Sequence, residues 1–155
     1  MPGPRNSAGI LVYRFENNVL KVFLVHPGGP FWKNKDAGAW TIPKGEFAED
    51  ESPLEAAVRE VKEETGHVIS GNFIELGSIR QKNGKRVFAW AIEGDLDANN
   101  ITSNHFEIEW PPRSGKKASF PEVDRAAWFS LADAKEKILP SQWPLLEELR
   151  SLLQK

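Results

Sequence analysis

The sequence predicts an α/β fold, a mixed β-sheet with helices packed on its faces. Three observations predict it. Short runs rich in β-branched and aromatic residues dominate the chain, one amphipathic helical segment interrupts them near the middle, and helical segments close it. At 155 residues the chain is long enough for one well-formed core and short for two. It contains no internal repeat and no linker-like stretch, so one domain over residues 1–155 is expected.

The elements follow in order. SAGILVYRF (7–15) and VLKVFLVHP (19–27) read as strands joined by the short turn ENN. HPGGPFWKNKDAGAW is a loop dense in Gly, Pro and Asn, and WTIP (40–43) is a short strand before an acidic segment. NFIELGSIRQK and KRVFAWAIEGD flank Asn83-Gly84, a strong hairpin signal. NHFEIEW is a further strand, PPRSGKK a basic Pro-rich loop and RAAWFSL the last strand. LADAKEKI and WPLLEELRSLLQ are helical, the second with Leu145, Leu146, Leu149, Leu152 and Leu153 on one face.

The central helix has clear end signals. Ser52 caps it, Pro53 suits its first position and Glu55 completes a capping box. Gly66 suits the left-handed position just past its end. Leu54, Val58, Val61 and Thr65 form the expected buried stripe, which leaves Glu60, Glu63 and Glu64 converging on a different, surface face. Like charges so spaced repel, and the helix C-terminus already disfavours negative charge. A cation is expected to complete the arrangement.

Composition narrows the chemistry. With 0 Cys there are no disulfides, thiolate metal sites or cysteine nucleophile. The N-terminal MPGPRNS lacks a secretory pattern and no apolar run reaches membrane-spanning length, so a cytoplasmic protein is expected. Net charge is −2, without the basic footprint of a long nucleic-acid binder. The charge is uneven, however: residues 44–68 hold eight acids against three bases, while RQKNGKR and PPRSGKK are wholly basic. An acidic centre between basic segments suits a cation together with a polyanion. Clustered carboxylates with no His at ligand spacing favour a hard cation, Mg²⁺ or Mn²⁺. A solvated helix face accounts for the helical spacing equally well.

The complete spacing decides between them. Gly45, five residues, Glu51, seven residues and then REVKEETG resembles the Nudix hydrolase signature, Gly-x5-Glu-x7-Arg-Glu-U-x-Glu-Glu-x-Gly-U with U a bulky aliphatic residue. Gly45, Glu51, Arg59, Glu60, Val61, Glu63, Glu64 and Gly66 match, while His67 departs at the final U. The resemblance implies a Nudix-type α/β/α sandwich with a mixed β-sheet. It also implies Mg²⁺-dependent (Mn²⁺ possible) cleavage of a phosphoanhydride bond in a nucleoside diphosphate linked to another group, such as a nucleoside triphosphate or dinucleoside polyphosphate. By resemblance, Glu60, Glu63, Glu64 and the backbone carbonyl of Lys44 bind metal, and Glu51 pairs with Arg59 to hold the carboxylates.

A later glutamate often joins catalysis in this family. Glu122, six residues before Trp128 in FPEVDRAAWF, fits that pattern, with Glu107 and Glu109 of FEIEW as competitors. IPKGE resembles the box entry of dinucleoside polyphosphate and diphosphoinositol hydrolases, so Lys44 is a candidate phosphate ligand, and Arg113, Lys116 and Lys117 are candidates for distal phosphates. Trp32, Trp40 and Trp110 are candidates to stack on a base, and His26, His67 and His105 carry no assigned role. Small nucleotides or polyphosphates are the expected partners. The alternatives are a non-catalytic Nudix-fold nucleotide-binding regulatory domain and an RNA 5′-end pyrophosphohydrolase.

Overall fold

The structure, a computed structural model, describes residues 6–81 and 84–154. Its elements are β1 (Ser7–Glu16), β2 (Val19–Pro27), β3 (Lys44–Glu46), α1 (Pro53–Thr65), β4 (Ile74–Glu75), β5 (Ile79–Arg80), β6 (Arg86–Glu93), β7 (His105–Glu109), β8 (Lys117–Pro121), β9 (Val123–Ser130), α2 (Leu131–Lys137) and α3 (Trp143–Leu153), with a 3-10 turn at Pro140–Gln142.

The first hairpin sets the frame. Asn17 and Asn18 both take positive φ, 52° and 65°, the geometry that closes β1 onto β2 with two residues. β1 then pairs antiparallel with β2 and β3 and parallel with β6, giving the mixed sheet order β4-β6-β1-β2-β9. β5 also pairs with β6, and β7 and β8 form a separate two-stranded ribbon.

Strand alternation explains the layers. Ala8, Ile10 and Val12 of β1, with Phe23 and Val25 of β2, are buried under Ala56, Ala57 and Val61 of α1. The intervening Leu11 and Tyr13, with Val22 and Leu24, are buried on the other face against Ala134, Leu145, Leu146 and Leu149 of α2 and α3. Both faces of the central strands are covered, which is why their sequence is apolar almost throughout. The result is an α/β/α sandwich.

Four expectations change. WTIP forms no regular strand; Trp40 and Thr41 make only isolated bridges, and the strand lies later, at Lys44–Glu46. The basic loop after β7 is shorter than expected, because Lys117–Pro121 pairs back on β7 as β8. The buried face of α1 is centred on Ala56, Ala57 and Val61, with Leu54 and Val58 at its margin. Glu60 is consequently not on the surface: it is 7% exposed, because the two alanines let the helix approach the sheet closely. Asn83 of the expected hairpin turn lies outside the described residues; its flanks, β5 and β6, pair as expected.

Ser52 and Gly66 cap α1 as expected, the capping box being represented by its Ser52 half. Ser52 Oγ accepts from the Glu55 amide at 3.4 Å, and Gly66, at φ 82°, donates its amide to Lys62 O at 2.8 Å. His67 turns away from the carboxylates, its Nε2 lying 3.1 Å from Asp97 O, so the departure from the signature affects loop packing.

Candidate active site

Three carboxylates meet where α1, β3 and the start of β9 come together. Oxygens of Glu60, Glu64 and Glu122 lie within 4.8 Å of one another. Backbone geometry enforces this. At Gly45 a Cβ would stand 2.1 to 2.4 Å from the Glu60 carboxylate atoms, so only glycine lets β3 pass there. The Lys44 amide donates to Glu64 Oε1 at 3.1 Å and aims that side chain into the same space.

Glu122 is fixed from both sides. Its amide donates to Asn104 O at 2.8 Å, and its carbonyl accepts from the Gly28 amide at 2.9 Å. The Asn104 amide in turn donates to Glu63 O at 2.7 Å, and the Thr102 amide to Thr65 O at 2.9 Å. The free carbonyls at the end of α1 thus hold the segment that positions Glu122. The linking residues Thr102 and Asn104 were not foreseen, because their role is carried by backbone groups that side-chain identity does not signal.

Arg59 organises the opposite side. Its Nε and Nη2 stand 3.2 and 3.1 Å from Glu51 Oε2, and its Nη1 donates to Glu60 Oε1 and Glu63 Oε1 at 3.1 Å each. Glu51 is itself steadied by the Ala48 amide, 3.3 Å from its Oε1. One guanidinium therefore touches three carboxylates, which a planar fork can do and an ammonium cannot match. Of the three clustered helix glutamates, Glu60 and Glu64 meet Glu122, whereas Glu63 presents Oε1 to Arg59.

The local field is strongly negative. Burial raises the Glu60 carboxyl to about 7, helped by Glu63 and Glu122 and opposed by Arg59. Burial raises Glu64 to about 8 against the stabilising Lys44 amide. Glu122 is raised as well, through burial and then Glu63. Burial lowers the Lys44 ammonium, an effect that the nearby Glu64 opposes. A set of three acid oxygens held this close, with its proton affinity raised by burial and mutual repulsion, fits a hard divalent cation.

Beside the cluster lies a cleft of about 220 Å³ lined in part by Trp32, Thr41, Lys44, Glu64 and Glu122. Lys44 thus lines the same cleft as Glu64 and Glu122. Arg113, Lys116 and Lys117 are not beside it. They occupy the exposed far end of the β7–β8 ribbon, and Lys117 is four residues, about 13 Å along an extended strand, from Pro121. Glu107 and Glu109 take the exposed positions of β7, and Glu109 Oε1 accepts from the Arg113 amide at 2.9 Å. Trp40 is buried, with its indole nitrogen bonded to Asp36 at 2.8 Å, which makes it a core residue.

Comparison with known proteins gives the family and the fold. The family described as NUDIX domain matches residues 3–149. The chain is 29% identical over 149 residues to an RNA pyrophosphohydrolase of Bartonella henselae, covering 82% of this chain and 76% of that protein. It is 28% identical over 105 residues to mRNA-decapping enzyme subunit 2 of Saccharomyces cerevisiae, covering 62% of this chain but only 10% of that much longer protein. Among solved structures, a C. elegans Ap4A hydrolase in a binary complex superposes with a TM-score of 0.68 at 21% identity, covering 96% of this chain and 98% of that one. Among the described residues, no helix is long and apolar enough to cross a membrane.

Proposed function

The chain belongs to the Nudix family, and from that premise we propose that it is a divalent-metal-dependent pyrophosphohydrolase. It cleaves a phosphoanhydride bond in a nucleoside diphosphate linked to another group, with a nucleoside triphosphate or dinucleoside polyphosphate as the leading substrates. The observation that carries the reading is the convergence of Glu60, Glu64 and Glu122 within 4.8 Å beside a cleft that Lys44 also lines.

Each residue has a proposed part. Glu60 and Glu64 hold Mg²⁺ or Mn²⁺ beside Glu122, joined by Glu63 and the Lys44 carbonyl on the strength of the signature. When bound, the cation supplies Lewis acidity toward a phosphoryl oxygen and offsets phosphate charge. Glu122 takes the proton of the attacking water, its raised proton affinity suiting it to that work. Arg59, backed by Glu51, keeps Glu60 and Glu63 from swinging apart. The Lys44 side chain meets a phosphate in the cleft. Arg113, Lys116 and Lys117, at the end of the ribbon, serve only a substrate long enough to reach them.

That last placement favours one second reading, an RNA 5′-end pyrophosphohydrolase, whose substrate extends past the cleft. The similarity to the Bartonella protein points the same way. A panel of free nucleotides, dinucleoside polyphosphates and a 5′-triphosphorylated oligonucleotide, assayed with Mg²⁺ and again with excess chelator, tests both. Metal-dependent release of phosphate or pyrophosphate is expected. Full turnover in chelator would sink the metal-centred reading, and no cleavage of any phosphoanhydride would favour a binding domain. Preference for the oligonucleotide, lost in Lys116→Ala/Lys117→Ala, would select the second reading.

A further inference from the structure

His26 is fully buried near the end of β2, directly after the apolar core residues Leu24 and Val25. An imidazole in such a place costs stability unless its nitrogens find partners. Both do: Nε2 lies 2.6 Å from Lys35 O and Nδ1 2.8 Å from Asp124 Oδ1. His26 itself belongs neither to the carboxylate cluster nor to the lining of the acidic cleft. We infer that His26 is a positioning residue for the reaction: it ties together two segments that line the cleft, one arm setting Glu122 and the other setting Trp32. The inference rests on the hydrolase reading for what the cleft does.

The arm to Asp124 depends on an irregularity in the sheet. His26 pairs with Arg125 and Pro27 with Val123, so Asp124 is the extra residue of a β-bulge. Strict alternation would send the Asp124 side chain to the face opposite Arg125, and so away from His26. The bulge turns it back onto the imidazole, as bulges beside active sites re-aim side chains. Glu122 stands two residues before Asp124, and Val123 between them lines the cleft. Fixing Asp124 therefore adds a hold on the far side of a segment already tied to Asn104 and Gly28.

The second arm reaches Trp32 through Lys35. Residues 28–39 form turns without a regular strand or helix, so their position depends on ties of this kind. Lys35 O can only accept, so Nε2 carries the proton of that contact. The Lys35 amide donates to Trp32 O at 3.0 Å, and the Lys35 ammonium lies 5.1 Å from the centre of the Trp32 ring. Anchoring the Lys35 carbonyl thus anchors the turn that presents Trp32 to the cleft. Trp40 closes the loop from its other end, packing edge to face on the imidazole at 5.2 Å while its indole nitrogen bonds to Asp36.

The test separates the two arms. An Asn side chain puts its amide nitrogen near the place of Nδ1 and a Gln side chain near that of Nε2. His26→Asn accordingly keeps the Asp124 arm, and His26→Gln keeps the Lys35 arm. Hydrolysis of ATP and of diadenosine tetraphosphate with Mg²⁺ gives kcat and KM, and amide hydrogen exchange by NMR reads Lys35 and Gly28 separately. His26→Asn is expected to raise KM about fivefold, as loss of one hydrogen bond does, and to speed exchange at the Lys35 amide. His26→Gln is expected to lower kcat about tenfold or more with KM less affected, since a small misplacement at the reacting centre is costly. It should also speed exchange at the Gly28 amide, which bonds to Glu122 O. Asp124→Ala, at a partly exposed side chain, should repeat the His26→Gln pattern and decides the matter if the histidine variants do not fold. Equal losses in kcat and KM for both histidine variants, or no loss in either, would overturn the inference and leave His26 a residue that only fills the core. Split exchange without hydrolysis of either nucleotide would leave the tie standing and remove the hydrolase reading; hydrolysis indifferent to all three variants would do the reverse.

Discussion

Gly45 and Glu60 are packed so closely that a Cβ on residue 45 would lie 2.2 Å from Glu60 Oε2. The glycine that begins the signature is therefore a steric condition on the carboxylate fifteen residues later. Gly45→Ala is expected to displace Glu60 and to destabilise the protein by about 1–3 kcal/mol, the usual range for an overpacked buried site. Urea unfolding with and without Mg²⁺ checks it. The variant should lose most of its metal-induced stabilisation, and an alanine accepted with wild-type metal response would mean the helix can simply move aside.

The guanidinium of Arg59 makes a second relationship measurable. Arg59→Lys keeps the charge but loses the fork that spans Glu51, Glu60 and Glu63. The site is partly solvated, so a stability loss of about 1 kcal/mol at pH 8 is expected. A double-mutant cycle with Glu51→Gln should give a coupling of at least about 0.5 kcal/mol. Strictly additive single changes would show that the two residues are neighbours without being partners.

Legibility in the sequence followed the range of the interactions. β1, β2, β6 and β9, the central helix and the two late helices were all readable, because each carries its own periodicity or end signals. Glu122 was located through motif context, and the structure brings it to Glu60 and Glu64. β8 was hidden by its charged, Pro-flanked surroundings, although Phe120 and Ala118 alternate as a strand should. The burial of Glu60 was unreadable for another reason. It depends on Gly45 and on Ala56 and Ala57 together, and no single-helix projection contains the partner strand. The ribbon's missing strand also explains why Arg113, Lys116 and Lys117 were expected nearer the cleft than they are.

The raised carboxyls predict how the metal-free protein responds to pH. Glu60 stands at about 7 and Glu64 at about 8 when folded, both above the ordinary 4.5 of an unfolded chain. Between those values the folded state holds more protons than the unfolded one, so stability falls as pH rises. The contribution is complete below about 4.5 and is lost as pH passes through 7 and 8. Mg²⁺ competes with these protons, so its stabilising effect should be small at pH 5.5 and large at pH 8.5. Melting temperatures at the two values, with Mg²⁺ and with chelator, check the sign. Glu64→Gln should flatten the metal-free curve; a wild-type slope in that variant would place the titration elsewhere.

The final prediction separates the candidate bases. Glu122 faces Glu60 and Glu64, whereas Glu107 and Glu109 sit at exposed positions of β7 with no place in that cluster. Because the Glu122 backbone is held by Asn104 and Gly28, Glu122→Gln should leave the segment in place and change only the charge and basicity of the side chain. If that side chain accepts the proton, kcat should fall about a hundredfold to ten-thousandfold while the fold and nucleotide binding persist. Its raised proton affinity adds a pH signature: at saturating Mg²⁺, where protons no longer compete at Glu60 and Glu64, the wild-type rate should rise as the carboxyl ionises, and the variant should lose that limb. Glu60→Gln gives the contrast, since a metal ligand should lose affinity for the cation together with rate, and added Mg²⁺ should recover part of the loss. Glu107→Gln and Glu109→Gln should both remain within about twofold of wild type, as exposed substitutions away from a site usually do. A nearly active Glu122→Gln beside an inactive Glu107→Gln or Glu109→Gln would require the ribbon to fold over the cleft during turnover and would move the base onto β7.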